Sequence, residues 1–469
     1  MSTHVAPVEG TCPSIEDNPC RVENCVDDGN PCTEPTCLTG ADACTNEPAV
    51  DLTICDANGS AGSCVSGECV ATPSPWELGV PFIIGGGLDE IAEPEVALSA
   101  NGDGIAMWGQ GDALMVSHFS AENGWQEPIV VEEDFAPDRP SSLGVDALGN
   151  AIIVYARVET ASIDGRAVRF DSVAGLWGNP ELITRDGAIS NDTFVRVTPG
   201  GDVWAGWNEA TGDVLLRRTS TTAFGWESMV VVTSDGAPKR GARGFVAGSG
   251  RGAVLFRGYD AGGTADSVWV APIGPEDSVG AGVRVDADVG TVAYPQVGAT
   301  EDGELMVVWE QDDDIWYAHF VNEQWEPAAL LEAGSASAFS SEVSADGAGN
   351  FIVAWCQSRD MWTRRFVGTE QRWEDIEILR ISDTDSAVRP SLVATPDGEV
   401  WLVWLEGQFI RMSHFTPESR WSAPEKISPA LEASAPPPSH RPWLGRASDG
   451  TLAVVWADGR NVWAWADRR

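Results

Sequence analysis

Short runs of apolar residues, separated by Gly, Asn and Asp, recur along most of this chain. In "ELMVVWEQDDDIWYAHFVNEQWEP" (residues 304–327), an apolar run ends on Trp309, and an alternating run follows an acidic loop. Similar stretches begin at Gly104 and Glu399. Runs of this length, whether alternating or continuous, are typical of β-strands joined by tight turns.

The apolar run that ends on an aromatic residue occurs eight times, at spacings of 47, 52, 49, 53, 46, 49 and 52 residues. A turn that contains Gly, such as "NGDG" or "GAGN", precedes each run, as tight hairpins require. Each period holds four short strands, and four-stranded antiparallel units of about 40 to 50 residues are blades of a β-propeller. The sequence therefore predicts an all-β, eight-bladed β-propeller. The aromatic residues, expected to pack between blades, are Trp108, Tyr155, Trp207, Phe256, Trp309, Trp355, Trp404 and Trp456.

The two ends of the repeat region predict how the ring closes. The eighth period stops after its third strand, at "NVWAWADRR". Its missing fourth strand is found before the first blade, in "PWELGVPFII" (residues 75–84), so an N-terminal strand completes the last blade and removes the open sheet edges. We therefore expect a disordered tail at 1–10, a disulfide-stapled module at 11–70, a linker at 71–75 and the propeller at 76–469.

Nine of the ten cysteines lie between residues 12 and 69, in a segment rich in Gly, Pro, Asn and Asp. Because this segment has too few large apolar residues to build a core, we expect disulfides and a secreted or outer-surface location. Zinc is disfavoured, since the segment has no C-x-x-C and no His among its cysteines. The odd cysteine could stay free, pair with Cys356 or link to another chain. The disulfide candidates are Cys12, Cys20, Cys25, Cys32, Cys37, Cys44, Cys55, Cys64 and Cys69.

The formal net charge of −42 argues against nucleic acids and anionic membranes as partners, because both require Lys and Arg surfaces. No apolar run approaches the roughly 20 residues of a membrane helix. The start, "MSTHVAPVEG", has neither the charged nor the apolar segment of a signal peptide, so export would require a signal removed from this sequence. The acidic surface could keep a monomer soluble or bind calcium. No other cofactor is expected.

No catalytic motif stands out among the repeats. His118, His319 and His414 share one register at the end of a third strand, so they are expected to be surface residues rather than a triad. Nucleophile-elbow, P-loop and H-E-x-x-H patterns do not occur. Acidic loop residues, including Asp286 and Asp458, are expected to make one face around the channel mouth strongly negative. A paired-carboxylate hydrolase therefore stays open as an alternative.

One register of the third strand mixes Trp and Arg, with Met115 and Leu215 in the two remaining blades. A fully buried column would scarcely accept Arg, whereas a groove lined by Trp faces and Arg donors would suit a sugar ring. The alternative is a half-exposed packing column whose long side chains lie over the neighbouring blade. The candidate ligand-binding residues are Trp269, Trp316, Trp362, Trp463, Arg166 and Arg411.

Two parts of the chain resemble known families. The stretches "RPSSLGVDALGNAIIVY" and "RPSLVATPDGEVWLVW" resemble blades of secreted bacterial propellers of the BNR, sialidase-like and lectin-like group. They lack an intact S-x-D-x-G-x-x-W box, and the chain lacks an arginine triad with a Tyr–Glu pair, so sialidase activity is not expected. The segment around "DGNPCT" resembles stalk modules of myxobacterial secreted proteins and lipoproteins. These resemblances imply export, with a lipid anchor in the precursor as one means of attachment.

Together, these features predict an exported, cell-surface binding or adhesion protein whose blades offer repeated weak sites, which raise avidity when engaged together. A carbohydrate is the expected ligand. One alternative is a scaffold that binds a surface or extracellular protein through its acidic face. Another is a glycoside hydrolase or lyase with an acid pair at the channel mouth. Recurring residues favour binding, because a catalytic group tends to occur once.

Overall fold

A computed structural model describes five strands in the N-terminal part of the chain and most of residues 79–468. The gaps are residues 88–90, 138, 160–162, 185–188, 210, 234–236, 260–264, 275–277, 287–289, 333, 335, 380–385, 430–440 and 460. The predicted tail at 1–10, residues 72–75 of the predicted linker and Cys12, Cys20, Cys25 and Cys32 lie outside the described residues. The chain divides into two units, residues 1–77 and 78–469. No helix in the described part is long and apolar enough to cross a membrane.

In the N-terminal unit, the described backbone forms a two-stranded and a three-stranded antiparallel sheet. Cys37 lies directly opposite Cys44 in the first sheet, and Cys64 lies opposite Cys69 in the second. Opposed Cα atoms in antiparallel strands are about 4.5 to 5.5 Å apart, which is within the range that a disulfide spans. The strands are Thr33–Cys37, Cys44–Pro48, Ile54–Asp56, Ala61–Val65 and Glu68–Ala71.

The second unit is the eight-bladed β-propeller that the repeats predict. Each blade is an antiparallel sheet that runs from its first strand, at the central channel, to its fourth, at the outside, and the strands follow chain order in blades 1 to 7. Blades 1 and 2 contain Ile91–Leu98, Gly104–Gln110, Ala113–Ser120, Gly124–Trp125 and Ile129–Glu132, then Ser142–Val145, Ala151–Val158, Ile163–Asp171, Leu176–Trp177 and Glu181–Leu182. Blades 3 and 4 contain Ile189–Val197, Asp202–Glu209, Val214–Ser220 and Val230–Val231, then Lys239–Val246, Gly252–Tyr259, Ala265–Ile273 and Val283–Arg284.

The remaining four blades have the same plan. Blades 5 and 6 contain Val292–Ala299, Leu305–Gln311, Asp314–Val321, Gln324–Trp325 and Ala329–Leu330, then Ala338–Ala345, Phe351–Gln357, Asp360–Val367, Arg372–Trp373 and Glu377–Leu379. Blades 7 and 8 contain Ala387–Ala394, Val400–Glu406, Phe409–Thr416, Arg420–Trp421 and Glu425–Lys426, then Trp443–Arg446, Thr451–Ala457, Asn461–Arg468 and Phe82–Gly86.

The fourth strand is split into two short pieces in blades 1, 2, 5, 6 and 7, and both pieces pair with the third strand. Pro128, Pro180, Pro327 and Pro424 lie in the break of four of these blades. Proline has no N–H and therefore cannot continue a hydrogen-bonded ladder. In these blades a Trp followed two or three residues later by Pro therefore marks an interrupted outer edge.

The ring closes as predicted, because Phe82–Gly86 pairs with Asn461–Arg468 and completes blade 8. This strand overlaps the end of the predicted segment at 75–84 and extends two residues beyond it. A Cβ at position 85 would collide with the indole of Trp108 in blade 1, so Gly85 permits the close approach of the closing strand. The Gln110 side chain also donates a hydrogen bond to Gly86 O at 3.2 Å, which ties blade 1 to the closing strand.

The hydrophobic core lies between neighbouring blades. All eight aligned aromatic side chains are fully buried, which confirms their predicted packing role. In blade 5, Trp309 belongs to one cluster with Leu255 and Val268 of blade 4. Its indole N–H donates to Oε1 of Gln311 at 3.0 Å, and the same W-x-Q contact occurs in blades 1 and 6. A buried indole needs such an acceptor, and these three blades supply one. The indole N–H groups of Trp207, Trp404 and Trp456 have no hydrogen-bond partner among the described residues, so the repeat keeps the buried ring and not the polar contact.

Candidate functional site

The first strands of all eight blades meet at the channel and enclose a cavity of about 670 Å³. Six of these strands, in blades 1 and 3 to 7, have a β-bulge at the level of the cavity. A bulge bends the strand and changes the direction in which its side chains point. The backbone at this level is therefore specialised for presenting side chains rather than for continuous pairing.

Four residues in the bulges of blades 4 to 7 have a left-handed backbone, with φ of 68° at Gly241, 45° at Tyr294, 56° at Ser340 and 58° at Arg389. We call these four residues the left-handed arc. The conformation is ordinary for Gly, but it costs other residues about 1 to 2 kcal/mol. Strain of this kind concentrates at functional sites, where the surrounding structure maintains it.

The side chains around the cavity differ from blade to blade, in contrast to the recurring core residues. Tyr294 is 64% exposed, whereas Ser340, Arg389 and Trp443 are partly buried. A residue that recurs in the same position of every blade has a structural role. The residue in the bulge instead changes from blade to blade, which distinguishes the cavity wall from the rest of the repeat. The charged and aromatic residues of its wall are Glu95, Asp192, Phe194, Arg196, Arg243, Tyr294, Glu310, Phe339, Glu342, Arg389, Arg441 and Trp443.

Carboxylates in the wall hold the left-handed arc in place. Oδ2 of Asp192 accepts a hydrogen bond from the Gly241 N–H at 2.7 Å, and Oε1 of Glu310 accepts one from the Ser340 N–H at 2.6 Å. Burial raises the pKa of Glu310 above its usual value, and the bond from Ser340 opposes that shift. Bonds from backbone N–H groups to carboxylates are stronger than neutral ones, so they stabilise the strained turns.

Four arginines line the cavity of a chain whose net charge is −42. Nη1 of Arg441 lies 2.6 Å from Oε2 of Glu342, and its guanidinium lies 4.4 Å from the centre of the Trp443 ring. Burial lowers the pKa of Arg196 and of Arg389. A lowered arginine pKa means that the environment disfavours the cation, which an anionic or strongly accepting ligand group would offset.

The structure places the predicted Trp and Arg residues of the third strands in six different blades, all partly buried and none in the described wall of the cavity. The indole N–H of Trp463 donates to Asp458 at 2.7 Å, and Arg166 pairs with Glu159 at 2.9 Å. These polar groups are used within their own blades. The six residues Trp269, Trp316, Trp362, Trp463, Arg166 and Arg411 are therefore distributed around the ring, and a sugar site at any of them stays a prediction.

Sequence reasoning missed the cavity arginines. Arg389 and Arg441 each directly precede a proline near the start of a first strand, in "VRPSL" and "HRPWL". Arg-Pro near the start of a first strand was the available signal, and in blade 7 this dipeptide forms the bulge itself. Arg196 and Arg243 lie within alternating runs. The local sequence does not show which side chains of such a run face the channel, because that depends on how the eight blades assemble.

The expected surface position of His319 was wrong. Its side chain is fully buried between blades 5 and 6, with ring centres 5.8 Å from Phe351 and 4.9 Å from Phe366. Glu304 and Glu326 lie 3.5 and 3.4 Å from its two ring nitrogens. The next blade covers this strand end, so the His register is part of the packing between blades.

Several acidic loop residues lie inside the protein rather than on a charged rim. Asp286 and Asp458 are buried, and Asp286 accepts the Val268 N–H at 2.6 Å. Glu332 is also buried; burial, assisted by the neighbouring carboxyl group of Asp314, raises its pKa to about 7. Among the described residues, no group of three His, Cys, Asp or Glu side chains could hold a metal ion.

No protein-family model matches the chain, and no curated protein matches it in sequence. A lectin from Burkholderia pseudomallei is similar in structure, with a TM-score of 0.51 and 10% identity over 74% of this chain and 100% of the lectin. The Dos1 propeller has a TM-score of 0.51 and 8% identity over 84% of this chain and 96% of its own. A prolyl endopeptidase has a TM-score of 0.46 and 13% identity over 79% of this chain, which spans 55% of that protein's length. At such identities, the likeness shows the propeller fold alone.

Proposed function

We propose that this protein binds carbohydrate in the central cavity of its propeller. The observation that carries the proposal is the convergence of different side chains from eight blades on one cavity of about 670 Å³. Small-molecule sites have volumes of roughly 300 to 1,000 Å³ and combine aromatic surface with a few placed polar groups. The cavity is therefore large enough for a short oligosaccharide.

The chemistry of the wall suits a sugar. The exposed ring of Tyr294 and the partly buried ring of Trp443 offer aromatic surface to the C–H face of a sugar ring. Ser340, Gln296 and Glu342 supply hydroxyl, amide and carboxylate groups for sugar hydroxyls. The strained bulges hold these groups in position before the ligand arrives, which reduces the entropy cost of binding.

A second candidate is the Trp register of the third strands, favoured by one observation. Trp316 pairs with Leu330 and Trp362 pairs with Ile378 on the outer strands, and these apolar partners are 42% and 45% exposed. Each pair forms a small apolar surface at the rim of its blade. Such surfaces would give weak, repeated sites, as multivalent binding requires.

A glycan array probed with the labelled protein (residues 1–469) tests the proposal, followed by calorimetry on any ligand found. We expect Tyr294→Ala to weaken binding about five- to tenfold, since one aromatic contact contributes about 1 kcal/mol. The matched control is Phe224→Ala, because Phe224 is fully exposed and lies outside the cavity wall. Loss of binding in Trp362→Ala but not in Tyr294→Ala would select the third-strand register. A blank array would overturn both candidates.

We also propose that the protein is exported and attached to the cell surface. The support is the density of cysteines between residues 12 and 69, together with the register that opposes Cys37 to Cys44 and Cys64 to Cys69. Disulfides persist in oxidising compartments and are rare in the cytosol. Protease treatment of intact cells should remove the protein, and full protection from the protease would contradict surface exposure.

A further inference from the structure

One segment of blade 4 is basic, although the chain as a whole is acidic. Residues 237–259 contain five basic and no acidic residues, whereas the whole chain has 71 acidic and 29 basic residues. The stretch covers the first hairpin of the blade, and "KRGAR" within it reaches the cavity. The basic residues are Lys239, Arg240, Arg243, Arg251 and Arg257.

Two of these arginines lie side by side on neighbouring strands. Arg240 and Arg257 are direct cross-strand partners, and both guanidiniums lie 5.6 Å from the centre of the Tyr259 ring. Within the described residues, neither has an ion pair with a carboxylate. Like charges directly opposite each other destabilise a sheet, so this arrangement costs stability in the protein alone.

The two arginines lead toward the cavity. Nε of Arg257 lies against the backbone of Gly241, 3.2 Å from the place of a Cβ, and Gly241 belongs to the left-handed arc. Arg243 follows on the same strand, is exposed and lines the cavity, as does Arg196 of blade 3. We call Arg240, Arg257, Arg243 and Arg196 the cationic track.

One carboxylate beside the track is already bound to the backbone. Asp192, one of four acidic residues in the cavity wall, accepts the Gly241 N–H at 2.7 Å. Burial lowers the pKa of Arg196, Glu95 and Glu342 raise it, and the positive charges of Arg243 and Arg441 lower it further. The track therefore gathers four guanidinium groups beside and within the cavity wall of a protein whose net charge is −42.

We propose that the cationic track binds the carboxylates of an acidic oligosaccharide, built of uronic acid units, that enters the central cavity over blade 4. The inference rests on the proposed function and names the class of its ligand. A guanidinium presents paired donors that match the two oxygens of a carboxylate, and such charge-assisted bonds are stronger than neutral ones. Sulfate esters share this chemistry. The acidic remainder of the surface would repel the ligand elsewhere and so confine it to the track.

Calorimetry on residues 1–469 tests the inference with tetragalacturonate, neutral maltotetraose and a sulfated carrageenan tetrasaccharide. We expect tetragalacturonate to bind, and Arg240→Gln and Arg257→Gln to weaken its binding about tenfold or more each. The matched control is Arg251→Gln, which removes the same charge from the same hairpin but at its turn, where Arg251 bonds to Asp302 O. Its affinity should stay within about twofold of the wild type.

Thermal melts separate a ligand site from a structural role. Because Arg240 and Arg257 repel each other, Arg257→Gln should leave the melting temperature of the free protein unchanged or raise it, whereas tetragalacturonate should raise that of the wild type. A lower melting temperature together with unchanged affinity would make Arg257 structural and overturn the inference.

The other outcomes are distinct. Preference for the sulfated probe, lost in the same variants, would support the anion site and assign it to sulfate esters. Equal binding of maltotetraose, unaffected by the variants, would overturn the acidic class but leave the proposed function. If none of the three probes binds and the glycan array is also blank, both this inference and the proposed function are overturned. Tight binding of a single-stranded oligonucleotide in place of any sugar would also overturn the inference.

Discussion

Replacing Trp309 with Ala tests whether the recurring aromatic residue holds neighbouring blades together. The side chain is fully buried, and a buried Trp removes roughly 150 to 250 Å² from water. At about 25 cal/mol per Å², this corresponds to about 4 to 6 kcal/mol. Oε1 of the buried Gln311 also loses its donor, which adds about 1 kcal/mol or more. Measured truncations of this kind cost about 3 to 5 kcal/mol, so we expect about 4 to 6 kcal/mol.

Urea unfolding followed by far-UV circular dichroism measures this loss without depending on tryptophan fluorescence. Trp309→Phe keeps an aromatic ring but removes the hydrogen bond to Gln311, so it should lower the free energy of unfolding by about 1 to 3 kcal/mol. This variant replaces Trp309→Ala in the test if the Ala variant does not fold. Phe224→Ala, a change at a fully exposed ring, should stay within about 0.5 kcal/mol. A cost below about 1 kcal/mol for Trp309→Ala would refute packing between blades as the reason for the repeat.

Four further predictions follow from single contacts. Trp362→Ala should lower stability by about 2 kcal/mol and leave carbohydrate affinity unchanged, as titration and urea unfolding would show. Glu332 has a folded pKa of about 7 against an ordinary 4.5, so its stabilisation is present below pH 4.5 and lost as the pH rises through 7. Glu332→Gln should therefore melt higher than the wild type at pH 8 but not at pH 4, and an equal difference at both would contradict the raised pKa. Tyr294→Gly should be about 0.5 to 1 kcal/mol more stable than Tyr294→Ala in urea, because Gly adopts the φ of 45° without strain. Peptide mapping without reduction should recover Cys37 linked to Cys44, and a free thiol at either would contradict the pairing inferred from their register.

The fold could be predicted from the sequence because its determinants are local and repeated. Each blade carries the same buried aromatic and Gly turn within about 49 residues, and each blade buries its faces against the next, so one blade's pattern describes them all. The missing strand after "NVWAWADRR" also predicted the closure by Phe82–Gly86. His319 was misplaced because its burial depends on Phe351 and Phe366, which lie in the next blade.

The candidate site could not be predicted in the same way. The repeated register of the third strands led to the prediction that its Trp and Arg residues, including Trp362 and Arg411, bind the ligand. The cavity wall is instead formed by positions whose residues change from blade to blade. Tyr294 and Arg389 look like ordinary members of two distant strands, since nothing in a single repeat shows which end of a strand faces the channel. Their left-handed backbone is likewise not visible in the sequence.

The sequence alone determined the number of blades, their buried aromatic residues and the strand that closes the ring, because these depend on hydrophobic burial over short and repeated distances. Only the tertiary structure brought Arg240 beside Arg257, turned Arg243 and Arg196 into the cavity, and set the acidic loop residues inside the protein. A ring of eight sheets places residues about 49 positions apart around one axis. The chemistry of that axis therefore belongs to the assembled ring and not to any one blade.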